Sequence, residues 1–279
     1  MKLLSNHLYI VSTPIGNLDD ITLRAIEVLK KSDIILCEDT RRSIKLLNHF
    51  KIKKKLIPYH KFNEKKQLTN IIKYFNEGKI LSLVSDAGTP SLSDPGRILV
   101  NECILNEINV IPIPGVSSIT SALSVSGFND RFLFYGFLPK TEKELEKVLS
   151  SISKNIFTQI FFISSKKLNF YIKGFKKYFC GRKILIAKEI TKIHEAFIRQ
   201  RIDDLEISKN NIKGELTVVI SENNAKVDNF DEKKIVNKIK KYLKKYSLKD
   251  TVNLILVTEN INKKTVYNLC LKVKNEKNY

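Results

Sequence analysis

The sequence predicts an α/β fold made of two α/β lobes followed by a small basic helical domain. In the first 115 residues, short β-branched runs alternate with amphipathic stretches, which indicates a mostly parallel sheet with helices on its faces. A second series of strand-like runs follows up to residue 221, and the chain beyond residue 230 is helical in pattern and rich in lysine. These changes predict three segments, 1–116, 117–225 and 226–279.

The first lobe is predicted to alternate strands and helices along the chain. The strands are the apolar runs at 7–13, 33–39, 79–85 and 108–115, and the helices are the amphipathic stretches at 19–32, 43–50, 64–78 and 94–107. Asp19 or Asp20 is expected to cap the first helix, and Gly78 to end the third. In the fourth, we expect Asp94 at the N-cap and Pro95 at the first helical position.

The second lobe and the tail show weaker patterns. Candidate strands lie at 131–138, 158–164, 182–190 and 215–221, a helix begins within 141–152, and residues 195–205 read as a strand followed by a turn. We expect a smaller sheet with fewer helices than in the first lobe. In the tail, two helical segments separated by Ile261 and Asn262 outline a helix–turn–helix pair. Its lysines either contact RNA phosphate or only solvate an exposed face.

The chain is strongly basic, with a formal net charge of +20 at pH 7. A nucleic-acid partner explains this charge, and a lysine-rich composition without any partner is the alternative. No apolar run approaches the ~18–20 residues of a membrane span, and the N-terminal residues lack the pattern of a signal peptide. The four cysteines are far apart, which predicts buried thiols. We therefore expect a cytoplasmic protein without a membrane partner.

Glycine and proline are scarce in this chain but concentrate around three loops. The chain has only 10 Gly and 7 Pro, and the loops that follow predicted strands read T-P-I-G-N at 13–17, D-A-G-T-P at 86–90 and P-G-V-S-S at 114–118. In an open parallel sheet, ligands bind outside the carboxyl ends of the strands, so three such loops predict a small-molecule cleft. Each loop taken singly is also compatible with a tight turn between a strand and a helix.

Common cofactor and metal motifs are absent from the sequence. The patterns G-x-G-x-x-G, G-x-x-x-x-G-K-[ST], H-E-x-x-H, C-x-x-C and G-x-S-x-G are not found. The four histidines are scattered along the chain, so no metal is expected. From the residues alone, the prediction stops at a cofactor-sized cleft in a basic protein.

An ordered set of motifs resembles one family closely. The set is TPIGNLDDITLRA at 13–25, CEDTRRSIKLLNHF at 37–50, YHKFNE at 59–64, VSDAGTPSLSDPG at 84–96, PIPGVSS at 112–118, GFLP at 136–139, KEITKIHE at 188–195 and KGELTVVI at 213–220. On these motifs the chain resembles the tetrapyrrole methylase-like, S-adenosylmethionine-dependent methyltransferases, and among them the branch that acts on small-subunit ribosomal RNA. The resemblance covers about residues 7–222.

The resemblance implies a fold, a cofactor and a reaction. Two α/β lobes would hold S-adenosylmethionine between them, and the protein would form a homodimer. The methyl group would pass to the ribose 2′-oxygen of cytidine 1402 of 16S rRNA, in the decoding centre of the 30S ribosomal subunit. The residues implied to line the cofactor pocket are Pro14, Ile15, Gly16, Asp86, Gly88, Thr89, Pro90, Ser117 and Ser118.

A ribose hydroxyl is a poor nucleophile until its proton leaves, so a base is expected near the 2′-oxygen. The candidates for the base or its orienting partner are Asp39, His60 and Glu64. Asp39 is alternatively a helix N-cap, and His60 a hydrogen-bonded loop residue. The cations predicted to contact RNA phosphate, with plain surface cations as the alternative, are Arg41, Arg42 and Lys188.

The chain departs from the family pattern at a few positions. Ile163 and Lys166 stand where a Glu and a His are usual, so those two side chains cannot act on substrate here. Val116 replaces a common proline. Lys188 replaces a usual arginine, which keeps the charge but loses the bidentate fork.

Two other functions are compatible with the sequence. One is C-methylation of a tetrapyrrole (a precorrin or uroporphyrinogen), as in other branches of the superfamily; the EDTRR and YHKFNE segments and the basic tail oppose it. The other is RNA binding without catalysis, which the intact Gly/Pro loops oppose. Binding of S-adenosylmethionine and the chemical nature of the methyl acceptor distinguish these possibilities.

Overall fold

The structure, a computed structural model, describes residues 4–206, 214–223, 232–259 and 263–275. By its contacts the chain divides into two compact units, Met1–Asn223 and Asn224–Tyr279. The described part of the first unit contains two five-stranded sheets, and that of the second contains three helices. The predicted α/β fold with a helical C-terminal region is confirmed, and the boundary near residue 116 stays a prediction.

The first sheet is entirely parallel, as the alternation of strands and helices predicts. Its strands are β1 His7–Val11, β2 Ile34–Cys37, β3 Lys55–Pro58, β4 Leu81–Val84 and β5 Asn109–Ile113, in the order β3-β2-β4-β1-β5. The connecting helices are α1 Leu23–Lys31, α2 Thr40–His49, α3 Glu64–Asn76 and α4 Arg97–Leu105. Strands β2 and β4 are buried throughout, as expected for a sheet covered on both faces. The sequence did not predict β3, which is short, half-exposed and at the edge of the sheet.

The start of α1 differs from the prediction. The side chain of Thr22 caps the helix by accepting a hydrogen bond from the backbone N–H of Ala25 at 3.0 Å. The predicted caps Asp19 and Asp20 lie one turn earlier, in a short 3₁₀ segment. A threonine hydroxyl and an aspartate carboxylate can both accept this bond, and for that reason the residue types alone predicted the start of α1 too early in the chain.

The start of α4 also differs, and the difference matters for the site. Gly96 is the N-cap residue, with a φ of +139°, and α4 begins at Arg97. Because that backbone angle cannot continue a helix, the prediction that Asp94 caps the helix and Pro95 begins it is wrong. The predicted end of α3 is confirmed: Gly78 has a φ of +74° and its N–H donates to the carbonyl of Phe75.

The second sheet is mixed rather than parallel. Its strands are β6 Phe132–Phe137, β7 Thr158–Ser164, β8 Lys183–Lys188, β9 Ala196–Arg201 and β10 Glu215–Ile220, in the order β6-β7-β10-β8-β9. Only β6 and β7 pair in parallel. With five strands it equals the first sheet, so the prediction of a smaller sheet is wrong. The helices of this part are α5 Ser118–Ser124, α6 Glu142–Ile152 and α7 Leu168–Tyr178.

Helix α7 was not predicted because its aromatic-rich sequence does not separate helix from strand. Tyr171 and Phe175 lie on its buried face, and Phe175 packs against Phe161 of β7 with ring centroids 5.9 Å apart. Phe179 completes this aromatic cluster. These rings pack between helix and sheet in a core whose other buried members are mostly leucine, isoleucine and valine.

The C-terminal unit is a packed helical domain, not a loose tail. Its helices are α8 Glu232–Tyr242, α9 Leu248–Thr258 and α10 Lys263–Asn275. They enclose a core of their own, with Ile239, Ile255, Val266 and Cys270 among its buried members. Ile261 and Asn262, the predicted turn, lie outside the described residues.

The cysteines and the helix lengths bear on two further predictions. Cys37, Cys103 and Cys270 are buried as predicted, whereas Cys180 is exposed. None of the helices in the described ranges combines the length and the apolar character that crossing a bilayer requires.

Arg182 is the one arginine among the buried residues of the described chain, and it ties the rim of the second sheet together. Its guanidinium donates hydrogen bonds to the backbone carbonyls of Ser153, Asn155 and Ser221, at 2.6, 2.9 and 3.4 Å. Burial lowers the pKa of Arg182 to about 10. Three backbone acceptors from two segments, the turn between α6 and β7 and the end of β10, therefore depend on one side chain.

We expect the substitution Arg182→Ala to lower the free energy of unfolding by about 2–4 kcal/mol, because it leaves buried carbonyls without donors. Denaturant unfolding followed by circular dichroism measures this loss. Arg201→Ala is the matched control: its side chain is 59% exposed and reaches only Asp203, at 3.5 Å. Equal destabilisation by the two variants would contradict the role given to Arg182.

Candidate functional site

A cavity of about 420 Å³ lies between the carboxyl edge of the first sheet and one face of the second. The first sheet contributes residues from the loops after β1, β2, β4 and β5. The second contributes residues of β7 and β10 and of the loop after β8. The lining residues are Ile15, Glu38, Arg42, Asp86, Ala87, Gly88, Thr89, Leu92, Ser93, Asp94, Ser117, Ser118, Ile119, Phe137, Phe162, Ile163, Ser164, Glu189, Ile190, Lys192, Gly214, Glu215, Leu216 and Thr217.

The loops after β1 and β4 are fixed to each other by backbone pairing. Thr13 and Gly88 exchange two N–H···O=C hydrogen bonds, at 2.9 and 3.0 Å. The hydroxyls of Ser12 and Thr89 are also in hydrogen-bond contact, at 2.9 Å. Gly88 has a φ of +78°, which a residue with a side chain rarely adopts. The cavity wall is therefore largely pre-formed by the chain itself.

Gly16 allows the first lobe to approach the loop after β8. A Cβ atom at this position would collide with the side chains of Lys192 and Thr191. The neighbouring Asn17 N–H donates to Thr191 Oγ1 at 3.1 Å, which fastens the two loops. This close approach closes one end of the cavity.

Most of the predicted cofactor residues meet at this wall. The residues that line the cavity are Ile15, Asp86, Gly88, Thr89, Ser117 and Ser118. Pro14 and Pro90 are buried within the same loops, and Gly16 stands at the contact with Thr191 and Lys192. The structure thus brings the three Gly/Pro loops together, and their role in binding a cofactor stays a prediction.

The cavity wall is acidic although the chain is basic. It carries five carboxylates, Glu38, Asp86, Asp94, Glu189 and Glu215, and two cations, Arg42 and Lys192. The chain as a whole has a net charge of +20. A cavity of this sign attracts a cationic or amine-bearing ligand and repels a polyanion.

Some of these charges neutralise one another. Lys192 Nζ lies 3.0 Å from Glu189 Oε1 and 3.1 Å from Glu215 Oε2, bridging the two. Arg42 Nη1 lies 3.3 Å from Asp86 Oδ2, whose other oxygen accepts a hydrogen bond from the backbone N–H of Asp39. Asp86 is thereby held at the cavity mouth.

Glu38 and Asp94 are the carboxylates of the wall that form no salt bridge within the described residues. Burial raises the pKa of Asp94 to about 6, and the negative charges of Glu38 and Asp86 add to this rise. Burial likewise raises the pKa of Glu38, with a further contribution from Asp86. Carboxylates perturbed in this way inside a cavity are typical of functional sites.

Sequence reasoning assigned a catalytic role to neither residue. Glu38 directly follows β2 and was passed over in favour of Asp39. Asp94 was assigned to a helix cap, and that assignment hid it. The loop that carries it contains two non-glycine residues in the left-handed region, Ser91 at φ +71° and Ser93 at φ +67°. This strain turns the loop toward the cavity and was not visible in the sequence.

The three predicted base candidates have other contacts. Asp39 caps α2, and its carboxylate also binds the Arg41 side chain at 3.1 and 2.7 Å; these hydrogen bonds from Arg41 lower the pKa of Asp39 to about 2. Glu64 is buried and accepts a hydrogen bond from the backbone N–H of Gly96 at 2.9 Å. His60 has a buried Nδ1 without a partner among the described residues. None of the three lines the cavity.

The predicted RNA-contacting cations lie in different places. Arg41 has a side chain that is 87% exposed, and Arg42 lies at the cavity wall beside Asp86. Lys188 is the last residue of β8 and does not reach the cavity. Across the part of the chain that the structure describes, no group of three His, Cys, Asp or Glu side chains could hold a metal ion.

Comparison with known proteins agrees with this architecture. The family model of tetrapyrrole (corrin/porphyrin) methylases matches residues 7–206. A protein of Mesomycoplasma conjunctivae named ribosomal RNA small subunit methyltransferase I is 46% identical over 214 residues, 76% of this chain and 89% of that protein. The proteins of the same name from Buchnera aphidicola and Bacillus subtilis are 41% and 35% identical; the alignments cover 95% and 93% of this chain and 96% and 92% of theirs.

Solved structures share the fold at low sequence identity. The methyltransferase CobJ superposes with a TM-score of 0.60 at 16% identity, over 78% of this chain and 94% of its own. A uroporphyrin-III C-methyltransferase of Thermus thermophilus, solved with S-adenyl homocysteine, gives 0.56 at 15% identity, over 77% and 97%. From the family match and the close relatives together, the chain belongs to the tetrapyrrole methylase family and, within it, to the ribosomal RNA small subunit methyltransferase I group.

Proposed function

We propose that the protein uses S-adenosylmethionine to methylate the ribose 2′-oxygen of cytidine 1402 in 16S rRNA. One observation carries the proposal: an acidic, pre-formed cavity inside a chain with a net charge of +20. The cavity suits a small cationic cofactor, and the basic remainder of the chain suits an RNA acceptor. The names of the close relatives support the same reading.

The cavity residues fit S-adenosylmethionine. Its sulfonium and amino groups are cationic and match the carboxylates of Glu38, Asp86 and Asp94. The apolar side chains of Ile119 and Ile190 offer contacts to its adenine ring, and a volume of about 420 Å³ is of the size that binds such molecules. The related uroporphyrin-III C-methyltransferase that was solved with S-adenyl homocysteine supports the same cofactor.

The alternatives fit this cavity less well. Precorrins and uroporphyrinogen carry several carboxylates on the ring system that is methylated, and the five carboxylates of the wall repel them. An RNA acceptor needs to bring only an uncharged ribose to the cavity, with its phosphates outside. RNA binding without catalysis does not require a cofactor-sized cavity. In this chain such a cavity is present, and Gly88 and the hydrogen bonds between the loops after β1 and β4 shape its wall.

The bound cofactor supplies an activated methyl group, so the protein must position the acceptor and receive its proton. Asp94 suits the second task better than Asp39. It lies in the cavity wall, forms no salt bridge within the described chain, and has a pKa raised to about 6 by burial. The carboxylate of Asp39, with a pKa of about 2 beside Arg41, is too weak a base. Arg42, at the mouth, is positioned to contact the RNA backbone.

The particle and the assembly state belong to the same proposal. The acceptor is 16S rRNA within the 30S subunit, the enzyme acts as a homodimer, and its location is the cytoplasm. Relatives named for small-subunit ribosomal RNA support the first of these statements, and ribosome assembly in the cytoplasm then supports the last.

The first prediction concerns the reaction itself. With radiolabelled S-adenosylmethionine and unmodified 30S subunits, we expect label on one cytidine, carried by the ribose 2′-oxygen. Nuclease digestion followed by mass spectrometry of the nucleoside measures the position. Label on a base nitrogen or carbon, or on an added tetrapyrrole but not on RNA, would refute the proposal.

The second prediction concerns the cofactor cavity. Ser118 lines the cavity near the N-terminus of α5, so Ser118→Phe fills space that the cofactor needs. We expect S-adenosylmethionine affinity, measured by calorimetry, to fall by about 100-fold or more, equivalent to roughly 2.7 kcal/mol. Ser124→Phe, at the exposed end of the same helix, is the control and should bind normally. Unchanged affinity of the Ser118 variant would place the cofactor elsewhere.

The third prediction is a pH dependence. Asp94 must be ionised to accept a proton, so kcat/KM should fall about tenfold per pH unit below pH ~6, the pH at which its carboxyl titrates. Asp94→Asn should lower kcat by about 10²–10⁴-fold and remove this acid limb. Asp130→Asn is the control: this exposed carboxylate lies in the loop between α5 and β6, and the variant should keep the wild-type pH profile. Retention of the acid limb by the Asp94 variant would assign the base to another residue, with Glu38 the next to test.

A further inference from the structure

The loop between β3 and α3 presents an aromatic side chain to solvent. Phe62 is 89% exposed, while its neighbour Tyr59 is fully buried. The nearest ring is that of His60, with centroids 6.2 Å apart and the planes inclined by 61°. One face of the Phe62 ring is thus available for a flat partner, and its exposure to water is unfavourable until such a partner binds.

The loop is held rigidly, so the exposure of Phe62 is not a consequence of a loose segment. The side chain of Asn63 bridges it: Oδ1 accepts the backbone N–H of His60 at 2.8 Å, and Nδ2 donates to the carbonyl of Pro58 at 2.9 Å. At the end of the loop, Glu64 binds the backbone N–H of Gly96. A loop backbone fixed in this way loses little conformational entropy when the ring it carries binds a partner.

The loop that carries Phe62 lies at the same edge of the sheet as the cavity. Strand β3 ends at the same edge of the parallel sheet as β2, whose following residue Glu38 lines the cavity. His60 is close enough for its charge to influence the pKa of Glu38, although burial is the largest cause of the shift. At the other end of the loop, Glu64 accepts a hydrogen bond from Gly96, which is two residues after the cavity residue Asp94.

The surroundings of Phe62 are cationic. Lys61, Lys65 and Lys66 are exposed in the same segment, and the side chain of Arg41, in the first turn of α2, is 87% exposed although it is paired with Asp39. An aromatic ring among cations, outside an acidic cavity, matches the two parts of a nucleotide, the base and the phosphate. A ligand with an aromatic ring but no negative charge would contact only Phe62, and a phosphate without a base would contact only the cations.

We propose that Phe62 is a stacking platform for an unpaired base of the RNA next to the nucleotide that enters the cavity, with the neighbouring lysines on the flanking phosphates. The inference rests on the proposed function, because it takes the RNA acceptor as given. It adds a residue that selects single-stranded RNA, since only an unstacked base can reach the ring.

The test measures binding and turnover separately. Unmodified 30S subunits are bound to the protein in a filter assay without cofactor, and are then methylated under steady-state conditions. For Phe62→Ala we expect Kd and KM to rise by about 5- to 150-fold while kcat stays within about threefold, because stacking stabilises bound substrate and transition state alike. Phe62→Tyr should behave like the wild type, and Phe62→Leu like the alanine variant.

Leu105→Ala is the matched control. Leu105 is 78% exposed, but it ends α4 and lies at the opposite, amino edge of the sheet. Unchanged Kd and KM in Phe62→Ala, full activity in Phe62→Leu, or an equal loss in Leu105→Ala would each overturn the inference. If the wild type binds 30S subunits but methylates none, the proposed reaction fails, and the Kd values of the Phe62 variants still decide the stacking role.

Discussion

The parallel pairing of β1, β2, β4 and β5 is the constraint on which the rest of the site depends. Parallel strands all end at one edge of their sheet, so the loops that follow them meet in one place. The two backbone hydrogen bonds between Thr13 and Gly88 then fix the distance between two of these loops. Side chains separated by about a hundred residues in sequence thereby become the wall of a single cavity.

The separation of charge is the second organising feature. The chain is basic overall, yet the cavity concentrates carboxylates, and the cations Arg42 and Lys192 in its wall are each paired with acidic partners. The surrounding loops carry exposed cations such as Arg41 and Lys61. A small cation and a polyanion can then occupy adjoining regions of one protein without competing for the same groups.

The segment between β4 and α4 contains residues in unusual backbone conformations. Ser91, Ser93 and Gly96 all have positive φ, and together they bend the chain between β4 and α4. The bend directs Asp94 to the cavity and exposes the backbone N–H of Gly96, which Glu64 binds from the β3–α3 loop. Glu64, one of the three candidates for the base or its orienting partner, thus supports the loop that carries a different carboxylate. Such strain persists only where the surrounding structure over-determines it.

The sequence by itself determined the fold class, four of the five strands of the first sheet with the helices between them, and the three Gly/Pro loops that meet at the cavity. These features follow from local composition, because periodic apolar residues and Gly/Pro turns act over a few residues. Only the tertiary structure decided which carboxylates lie inside the cavity and which are used elsewhere. Asp39 and Asp94 look equally available in the sequence, but a hydrogen bond from Arg41 makes the first a weak base, whereas burial raises the pKa of the second. Burial and pairing are set by residues far apart in the chain, and for that physical reason no local pattern could have revealed them.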